Sequence, residues 1–284
     1  MFFEVIVLEI IAKEVLAPKI VKFVLTSPFI AQKAQPGHFV IVRASEKGER
    51  IPLTLADFDK TKGTITLVCQ EVGRSTAEIN AMEVGDKFLD VMGPLGTPYP
   101  VEKIGVVLCV AGGLGVAPLY PKVKALYEKG NTIITIMGAR TKEMLIMTAE
   151  MEKISHEIYY CTDDGSFAHH GFVTDLVEKI LSEKKIDEVI AIGPVPMMNA
   201  VCEITKKYGV KTVVSLNAIM IDGTGMCGGC RVTINGETKF CCVDGPAFDG
   251  HAVNFKELIN RQRYYADMEK QAYSRWQEGC RCAR

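Results

Sequence analysis

Three side chains near the carboxyl end of the sequence have the types and spacing of iron–sulfur ligands. The segment IDGTGMCGGC contains Asp222, Cys227 and Cys230 in the pattern D-x₄-C-x₂-C. Plant-type [2Fe–2S] loops use C-x₄-C-x₂-C, with a fourth cysteine further along the chain. The intervening glycines give the flexible backbone that lets N–H groups point at cluster sulfurs. The pattern therefore predicts a [2Fe–2S] loop in which a carboxylate takes the first ligand position.

Two other interpretations of this loop stay open at the level of sequence. Structural zinc would accept Cys227, Cys230 and one cysteine of the Cys241-Cys242 pair, with Asp222 as an oxygen ligand. Zinc sites more often pair two C-x₂-C knuckles or add histidines, and only His251 lies near in the sequence. The third interpretation is a glycine-rich turn without metal, in which Asp222 is a solvated carboxylate. The spacing favours iron–sulfur over both alternatives.

A second chemical signal is a glycine-rich turn at residues 112–118, GGLGVAP. It follows the apolar run IGVVLCVA and precedes a helical stretch. Glycines at such a turn let the backbone approach a pyrophosphate, and the helix start offers free N–H groups. This context favours nucleotide binding over an ordinary turn. The spacing differs from G-x-G-x-x-G, and no acidic residue clearly ends the second run, so NAD and NADP both remain possible.

Later strand ends supply further candidate contacts, because ligands of open α/β sheets bind beyond the carboxyl ends of the strands. Two methionines after the fourth run could be either ligand contacts or helix core. The predicted dinucleotide contacts are Gly112, Gly113, Gly115, Ala117, Pro118, Gly138, Ala139, Arg140, Asp163, Asp164, Gly193, Pro194, Met197 and Met198.

The rest of the sequence predicts the elements that must position these groups. Residues 1–100 contain short apolar segments between turn residues, which indicates an antiparallel β barrel. In residues 101–215, apolar runs alternate with helical stretches such as APLYPKVKALYEKG and TKEMLIMTAEMEKI, which indicates a doubly wound parallel sheet. Residues 216–253 form the predicted [2Fe–2S] domain, and residues 254–284 a mostly helical extension. The fold class is a β barrel, then an α/β domain, then a cluster-loop domain.

The overall composition indicates a globular protein of 284 residues with 48% hydrophobic residues and a net charge of −1. This charge gives no electrostatic basis for binding nucleic acid or an anionic membrane. No apolar run approaches the roughly 18 residues of a membrane span, and the N-terminal MFFEVIVLEIIAKE predicts a strand rather than a signal peptide. We therefore expect a cytoplasmic protein, in which clustered cysteines suggest metal before disulfides. Scattered in apolar segments, and expected to be buried, are Cys69, Cys109, Cys161 and Cys202.

A barrel, a nucleotide-binding half and a cluster loop in this order resemble the ferredoxin-reductase-like flavoproteins. The motifs that carry the resemblance are RIPLT at 50–54, GRST at 73–76, GPLG at 93–96, GGLGVAP, TDDGS at 162–166 with GFVTD at 171–175, and CVDGP at 242–246. Within this superfamily the chain is similar to the electron-transfer subunits of dihydroorotate dehydrogenase B. It is more similar to the small subunits of NADH-dependent reduced ferredoxin:NADP⁺ oxidoreductases, which share the aspartate at the first ligand position.

The resemblance implies a set of cofactor ligands. FAD would lie in the barrel, although Ile51 occupies the arginine position of the usual R-x-[YF]-[ST] motif and Arg50 lies one residue earlier. The fourth cluster ligand would be the cysteine before x-D-G-P, which makes the set Asp222, Cys227, Cys230 and Cys242. The implied FAD contacts are Arg50, Pro52, Leu53, Thr54, Val68, Gln70, Gly73, Arg74, Ser75 and Thr76.

The implied function is electron transfer between NAD(H), FAD and the cluster. The recipient would be a larger flavin and [4Fe–4S] subunit in a heterodimer, as in electron bifurcation. No catalytic acid or base is predicted, because the cofactors carry the chemistry. One alternative is an electron-transfer subunit of dihydroorotate dehydrogenase B, and another is a non-catalytic nucleotide-binding module regulated by zinc or redox state. No nucleic-acid or membrane partner is expected.

Overall fold

The computed structural model describes residues 8–282, which form an antiparallel barrel, a parallel α/β sheet and a small C-terminal unit. Residues 1–7, the first part of the predicted N-terminal strand, lie outside the described residues. Between residues 8 and 282, no helix is long and apolar enough to cross a bilayer. The order of the parts confirms the predicted fold class.

The N-terminal sheet is antiparallel, with strand order β1-β2-β5-β4-β3-β6. A bridge between Glu9 and Lys87, which precede the two edge strands, joins these edges and closes the barrel. Side chains such as Phe23, Leu55 and Leu67 fill the interior, as the alternation of apolar residues requires. The elements are β1 (Ile10–Ala17), β2 (Ile20–Thr26), α1 (Pro28–Lys33), β3 (Phe39–Arg43), β4 (Ile51–Asp59), β5 (Thr64–Gln70), α2 (Arg74–Asn80) and β6 (Asp90–Leu95).

The second sheet is parallel and is covered by helices, because its strands are continuously apolar and must be buried on both faces. Its strand order is β10-β9-β8-β7-β11-β12. The elements are β7 (Val106–Gly112), α3 (Val116–Glu128), β8 (Thr132–Ala139), α4 (Thr148–Glu152), β9 (Glu157–Thr162), β10 (His169–His170), α5 (Val173–Glu183), β11 (Glu188–Ile192), α6 (Val195–Lys207) and β12 (Thr212–Ser215).

The predicted helix over TKEMLIMTAEMEKI is wrong for most of its length. Only α4 is α-helical there, after a short 3₁₀ turn at residues 142–144. Met147, directly before α4, has a φ of 54°, a left-handed conformation that an α-helix cannot include. Ile146, Met147 and Met151 are all buried in the core beside α3. Burial of these side chains, rather than a helical stripe, determines the path of the segment.

The C-terminal unit is joined directly to the parallel sheet. Strands β13 (Arg231–Ile234) and β14 (Glu237–Phe240) form a hairpin whose two-residue turn, Asn235-Gly236, has positive φ at both positions. This is the requirement of a type I′ turn, which Asn-Gly satisfies well. Strand β15 (Ala247–Asp249) then pairs antiparallel with β12 at the edge of the sheet. Helices α7 (Phe255–Gln262) and α8 (Ala266–Cys282) complete the described chain and agree with the predicted helical extension.

Candidate functional site

The hairpin β13–β14 brings two of the predicted cluster ligands together. Its strands return the chain so that the Cys241 N–H donates to the Cys230 carbonyl oxygen, at 3.1 Å. The next residue, Cys242, donates its N–H to the Cys230 sulfur at 3.4 Å. The Cys227 sulfur accepts from the Gly229 N–H at the same distance. Backbone N–H groups therefore already point at two sulfurs of the loop, as an iron–sulfur site requires.

The two neighbouring cysteines 241 and 242 have different surroundings. Cys241 is fully buried in the core, and its thiol faces the backbone N–H of Ala218. Both thiols lie near Cys230, but the Cys242 thiol is the one in direct contact with the Cys230 thiol, and it also faces the N–H of Gly225. Burial, the Cys230 thiol and the charge of Asp222 raise the pKa of the Cys242 thiol to about 12. Cys242, rather than Cys241, is thus grouped with the other predicted ligands.

The Asp222 carboxylate closes the loop on itself. One oxygen accepts from the Thr224 N–H at 3.0 Å, and the other accepts from the Cys227 N–H at 2.9 Å. These hydrogen bonds, that of Thr224 first, lower the pKa of the carboxyl below its usual value. The side chain is therefore an anion at neutral pH, which is the form that binds metal.

The potential ligands are arranged in pairs rather than around one point. Asp222 is linked to Cys227, and Cys230 lies against Cys242. Within residues 8–282, no three His, Cys, Asp or Glu side chains converge on a position that could hold one metal ion. Structural zinc requires four ligands on one ion, whereas each iron of a [2Fe–2S] cluster takes two from the protein. Three cysteines and one carboxylate, in two pairs, match the number of protein ligands that a [2Fe–2S] cluster takes.

The cluster loop packs directly against the barrel. Gly223 has a φ of +77°, and a Cβ there would lie 2.7 Å from Leu95 and 3.0 Å from Ile41. Thr97 donates its N–H to the Gly245 carbonyl oxygen at 2.6 Å. The GPLG and CVDGP motifs are thus in contact with each other, although they are about 150 residues apart in the sequence.

The glycines of the predicted phosphate turn have different structural roles. Gly113 has a φ of +54°, and nothing lies within 4 Å of a Cβ placed there. Its outer side is therefore open to a ligand. A Cβ at Gly115 would instead overlap the carbonyl oxygen of Ile192 at the end of β11. Gly115 is needed for close packing of this turn against the end of β11, whereas Gly113 leaves open space on the outer side of the turn.

The other predicted dinucleotide contacts lie along the same edge of the sheet. β8 and β11 flank β7, so the chain order reverses beside the glycine turn, and such switch points form ligand crevices. The N–H groups of Asp163 and Asp164 donate to the carbonyl oxygens of Ala139 and Arg140, at 3.0 and 3.2 Å. These hydrogen bonds place the ends of β8 and β9 side by side. The Asp164 carboxylate accepts from the Ser166 hydroxyl at 2.6 Å.

The two predicted methionine contacts are placed differently. Met197 packs against Gly112 and Gly193, where any Cβ would overlap its side chain. It therefore lies in the crevice between β7 and β11. Met198 is fully buried in the hydrophobic core and is not available to a ligand in the crevice. Ala117 is also buried, with 3% of its surface exposed, so only its backbone could contribute.

The predicted flavin strand β4 has one face in the barrel and one toward the α/β domain. Leu53 is buried in the barrel interior, whereas its neighbours Pro52 and Thr54 are partly exposed. Ala56 packs in the same core as Leu119 of α3, and Asp57 forms an ion pair with Lys124 of α3 at 3.1 Å. The outer face of β4 therefore borders the cleft between barrel and sheet. Val68 of β5 is buried in the core and Gln70 is partly exposed.

The hydroxyl groups of the GRST motif are engaged within the protein. Thr76 accepts from the N–H groups of Val72 and Gly73, at 2.9 and 3.1 Å, and Ser75 donates to Glu49 at 2.9 Å. Nothing lies within 4 Å of a Cβ placed at Gly73, and Arg74 is exposed. Arg50 is also exposed.

One residue of the cluster site, Arg261, and one buried residue of α3, Lys122, carried no signal in the sequence. The Arg261 guanidinium donates to the Gly229 carbonyl oxygen at 3.1 Å and so supports the cysteine loop from α7. Lys122 of α3 is completely buried, and among the described residues its amino group has no hydrogen-bond partner. It lies over the ring of Tyr99 at 5.6 Å. Burial lowers the pKa of Lys122 to about 8. A charged residue in a helical stretch is normally solvated, so neither role could be read from residue type.

Comparison with known proteins identifies two families and several relatives. Residues 217–254 match the iron–sulfur cluster binding domain of dihydroorotate dehydrogenase B, and residues 109–203 match the oxidoreductase NAD-binding domain. The chain is 47% identical over 268 residues to a dihydroorotate dehydrogenase B (NAD⁺) electron transfer subunit homolog of Thermotoga maritima, covering 94% of this chain and 95% of that protein. It is 33% identical to the electron transfer subunit of Geobacillus thermodenitrificans, covering 84% and 94% respectively.

A solved structure gives the same result. It is the structure of an NADH-dependent reduced ferredoxin-NADP oxidoreductase, a protein studied for flavin-based electron bifurcation. The superposition covers 97% of this chain and 99% of one chain of that structure, with 45% sequence identity and a TM-score of 0.91. The predicted resemblance to both groups of proteins is confirmed.

Proposed function

This chain belongs to the family of dihydroorotate dehydrogenase B electron-transfer subunits and their homologues, and we propose that it carries electrons between NAD(H), FAD and a [2Fe–2S] cluster to a larger subunit. The observation that carries the proposal is the paired donor set on a loop packed against the barrel. The family match over residues 217–254 covers all four of these donors and the whole of this loop, and the NAD-binding match covers most of the adjoining sheet. The chain is an oxidoreductase subunit.

The dinucleotide would bind across the switch point of the parallel sheet. Gly113 would leave room for the pyrophosphate, and the adjoining ends of β8 and β9 would meet the adenosine half. Met197 would cover the crevice between β7 and β11. Met198 has no part in this proposal, because it belongs to the core.

The flavin would lie on the outer face of β4, between the barrel and α3. Pro52 and Thr54 would face its ring system, and the open backbone at Gly73 with Arg74 would receive the diphosphate. Bound flavin supplies the link between two-electron hydride transfer and one-electron transfer. The residues of this chain position the cofactors and keep water from the cleft, and no side chain is required as an acid or base.

The cluster would be held by Asp222 and Cys227 on one iron and by Cys230 and Cys242 on the other. Arg261 of α7 stabilises the loop by its hydrogen bond to Gly229, and Gly223 allows the loop to lie against β6. Cys227 is exposed, so this end of the site faces outward, toward a partner. The partner would be a larger subunit with flavin and [4Fe–4S] cofactors in a cytoplasmic heterodimer.

A second candidate is the electron-transfer subunit of dihydroorotate dehydrogenase B, which the cluster-domain match favours. The two candidates differ in the partner and not in the chemistry of this chain. The carboxylate at position 222 favours the ferredoxin:NADP⁺ group, whose small subunits resemble this chain there.

Purification under anaerobic conditions tests both levels of the proposal. The isolated chain should show flavin and [2Fe–2S] absorption and release FAD on denaturation, whereas FMN alone or a colourless zinc protein would contradict it. The complex purified with its partner should then be assayed with NADPH and reduced ferredoxin, and separately with dihydroorotate. Activity with dihydroorotate alone would select the second candidate.

A further inference from the structure

The C-terminal extension links the cluster unit to the flavin barrel. Its first helix, α7, buries Phe255 and Leu258 in the core of the α/β and cluster units. Its second helix, α8, reaches the barrel through Tyr273, whose hydroxyl donates to Glu71. Lys19 donates to the same hydroxyl at 2.9 Å and forms an ion pair with Glu71 at 3.2 Å. These contacts attach α8 beside the end of β5, next to the GRST motif.

One helical turn beyond Tyr273, Trp276 lines an open cavity of about 430 Å³ on the barrel. Its ring is nearly parallel to that of Tyr273, with an interplanar angle of 10°, and its side chain is partly buried. The volume lies within the usual range of small-molecule sites, roughly 300–1,000 Å³. The remaining walls come from the β3–β4 loop and from α2, and the cavity is lined by Ser45, Glu46, Lys47, Arg74, Glu78 and Trp276.

The chemistry of these walls suits an adenosine phosphate. An indole offers a flat apolar face on which a base can stack. Lys47 and Arg74 are exposed cations that could meet phosphate, and Arg74 belongs to the motif already assigned to the flavin diphosphate. Glu46 is exposed, and its carboxylate could accept from ribose hydroxyls. Glu78 is already engaged by the Ser45 hydroxyl at 2.6 Å.

We propose that α8 is part of the flavin site and that Trp276 stacks on the adenine ring of FAD, so that this helix selects FAD over FMN. The inference rests on the proposed function, because it requires flavin in the barrel. It assigns to the C-terminal extension a role in binding the half of the cofactor that FMN lacks.

The chain itself contains the probe for this proposal, because Trp276 is its only tryptophan. Flavin-depleted full-length protein is titrated with ADP, and the tryptophan emission is recorded. ADP should change the emission in a saturable way through stacking, and inorganic pyrophosphate, which lacks the base, should leave it unchanged. An emission that does not respond to ADP would overturn the proposal.

A second experiment measures the affinity of Trp276 variants for FAD and FMN. Trp276→Ala should weaken FAD binding by roughly 5- to 150-fold, the range expected for loss of one base–aromatic stack, and leave FMN binding unchanged. Trp276→Phe should restore most of the FAD affinity because it keeps an aromatic face. Tyr264→Ala, an exposed aromatic outside the cavity, is the matched control and should bind both flavins as the wild type does.

The outcomes separate the two hypotheses. Equal weakening of FAD and FMN would make Trp276 a merely structural residue and overturn the inference while leaving the flavin assignment intact. A response of the emission to ADP without any loss of FAD affinity in Trp276→Ala would show an adenine nucleotide site unrelated to flavin, and would also overturn it. Wild-type protein that binds neither flavin would refute the proposed function itself.

Discussion

At the scale of single residues, the four potential ligands of the cluster loop lie in two pairs, Asp222 with Cys227 and Cys230 with Cys242. The spacing from Asp222 to Cys230 identified the loop, but it could not choose between Cys241 and Cys242. Both side chains are buried, but the structure separates them, because the Cys242 thiol lies directly against the Cys230 thiol while the Cys241 thiol faces the N–H of Ala218. Asp222 is harder to assign, since its carboxylate also closes the loop through two N–H groups. Its role as a ligand stays a prediction.

Substitutions at Asp222 separate ligation from loop closure. Asp222→Cys restores four thiolates at the same spacing, so it should keep the iron while changing the reduction potential and the electron paramagnetic resonance spectrum. Asp222→Ala should leave one iron short of a ligand and make the cluster labile. Iron content and spectra across the series measure this. Asp222→Ala with wild-type iron content, spectrum and potential would show that the carboxylate only closes the loop.

The cysteine pair gives a matched comparison within the same strand end. Cys242→Ala should lose most of the iron, because the thiol grouped with Cys230 is removed. Cys241→Ala removes a buried thiol that faces Ala218 and should keep the iron, at a cost in stability of about 1–2 kcal/mol for the small cavity. The measurement is iron per chain after gel filtration. The reverse order of iron loss would exchange the two assignments.

We expect substitutions at two glycines of the turn to have different effects, one on reduction by NADH and the other on stability. Gly113→Ala puts a methyl group into the open side of the turn, at a strain of about 1–2 kcal/mol for its positive φ, and should slow flavin reduction by NADH while flavin content stays normal. Gly115→Ala forces the methyl against Ile192 and should lower the melting temperature through overpacking of about 1–3 kcal/mol. Reduction kinetics and thermal unfolding are measured on both. Normal NADH kinetics in Gly113→Ala would place the dinucleotide elsewhere.

Lys122 predicts a pH dependence of stability. Its pKa is lowered to about 8 in the folded state from 10.5, so the unfolded chain binds more protons between these values. Stability from this residue should therefore increase as pH rises from about 8 to 10.5, and it is absent below about pH 8. Lys122→Met should be more stable than wild type at pH 7, by about 3 kcal/mol, and the difference should shrink at pH 10. Urea unfolding at both pH values measures this, and a destabilised variant at pH 7 would refute it.

At the scale of elements, strong alternation and continuous apolar runs predicted the barrel and the parallel sheet well. The segment 141–154 was predicted as a helix because its apolar spacing resembles one, but its side chains are held by the α3 core and Met147 turns left-handed. The spacing of apolar residues along the segment does not show that its side chains will pack against α3. The pairing of β15 with β12 could not be predicted from the sequence either, because a three-residue edge strand is too short to show a periodic pattern.

At the scale of the whole molecule, contacts between distant motifs bring the three predicted sites together. Thr97 of the barrel donates to Gly245 of the cluster unit, β15 joins that unit to the nucleotide sheet, and α8 returns to the barrel. Sequence motifs named the parts in order, but no motif encodes the distances between them. The arrangement predicts that the parts act as one electron-transfer unit.

The central claim is tested most directly by mixing the anaerobic, purified chain with NADH and following both cofactors. The account predicts that flavin absorption bleaches first and that a [2Fe–2S] electron paramagnetic resonance signal then develops in the same chain without any partner. The Cys242→Ala variant should still bleach its flavin and give no such signal. A wild-type chain that carries both cofactors but whose cluster stays oxidised after full reduction of the flavin would contradict the account.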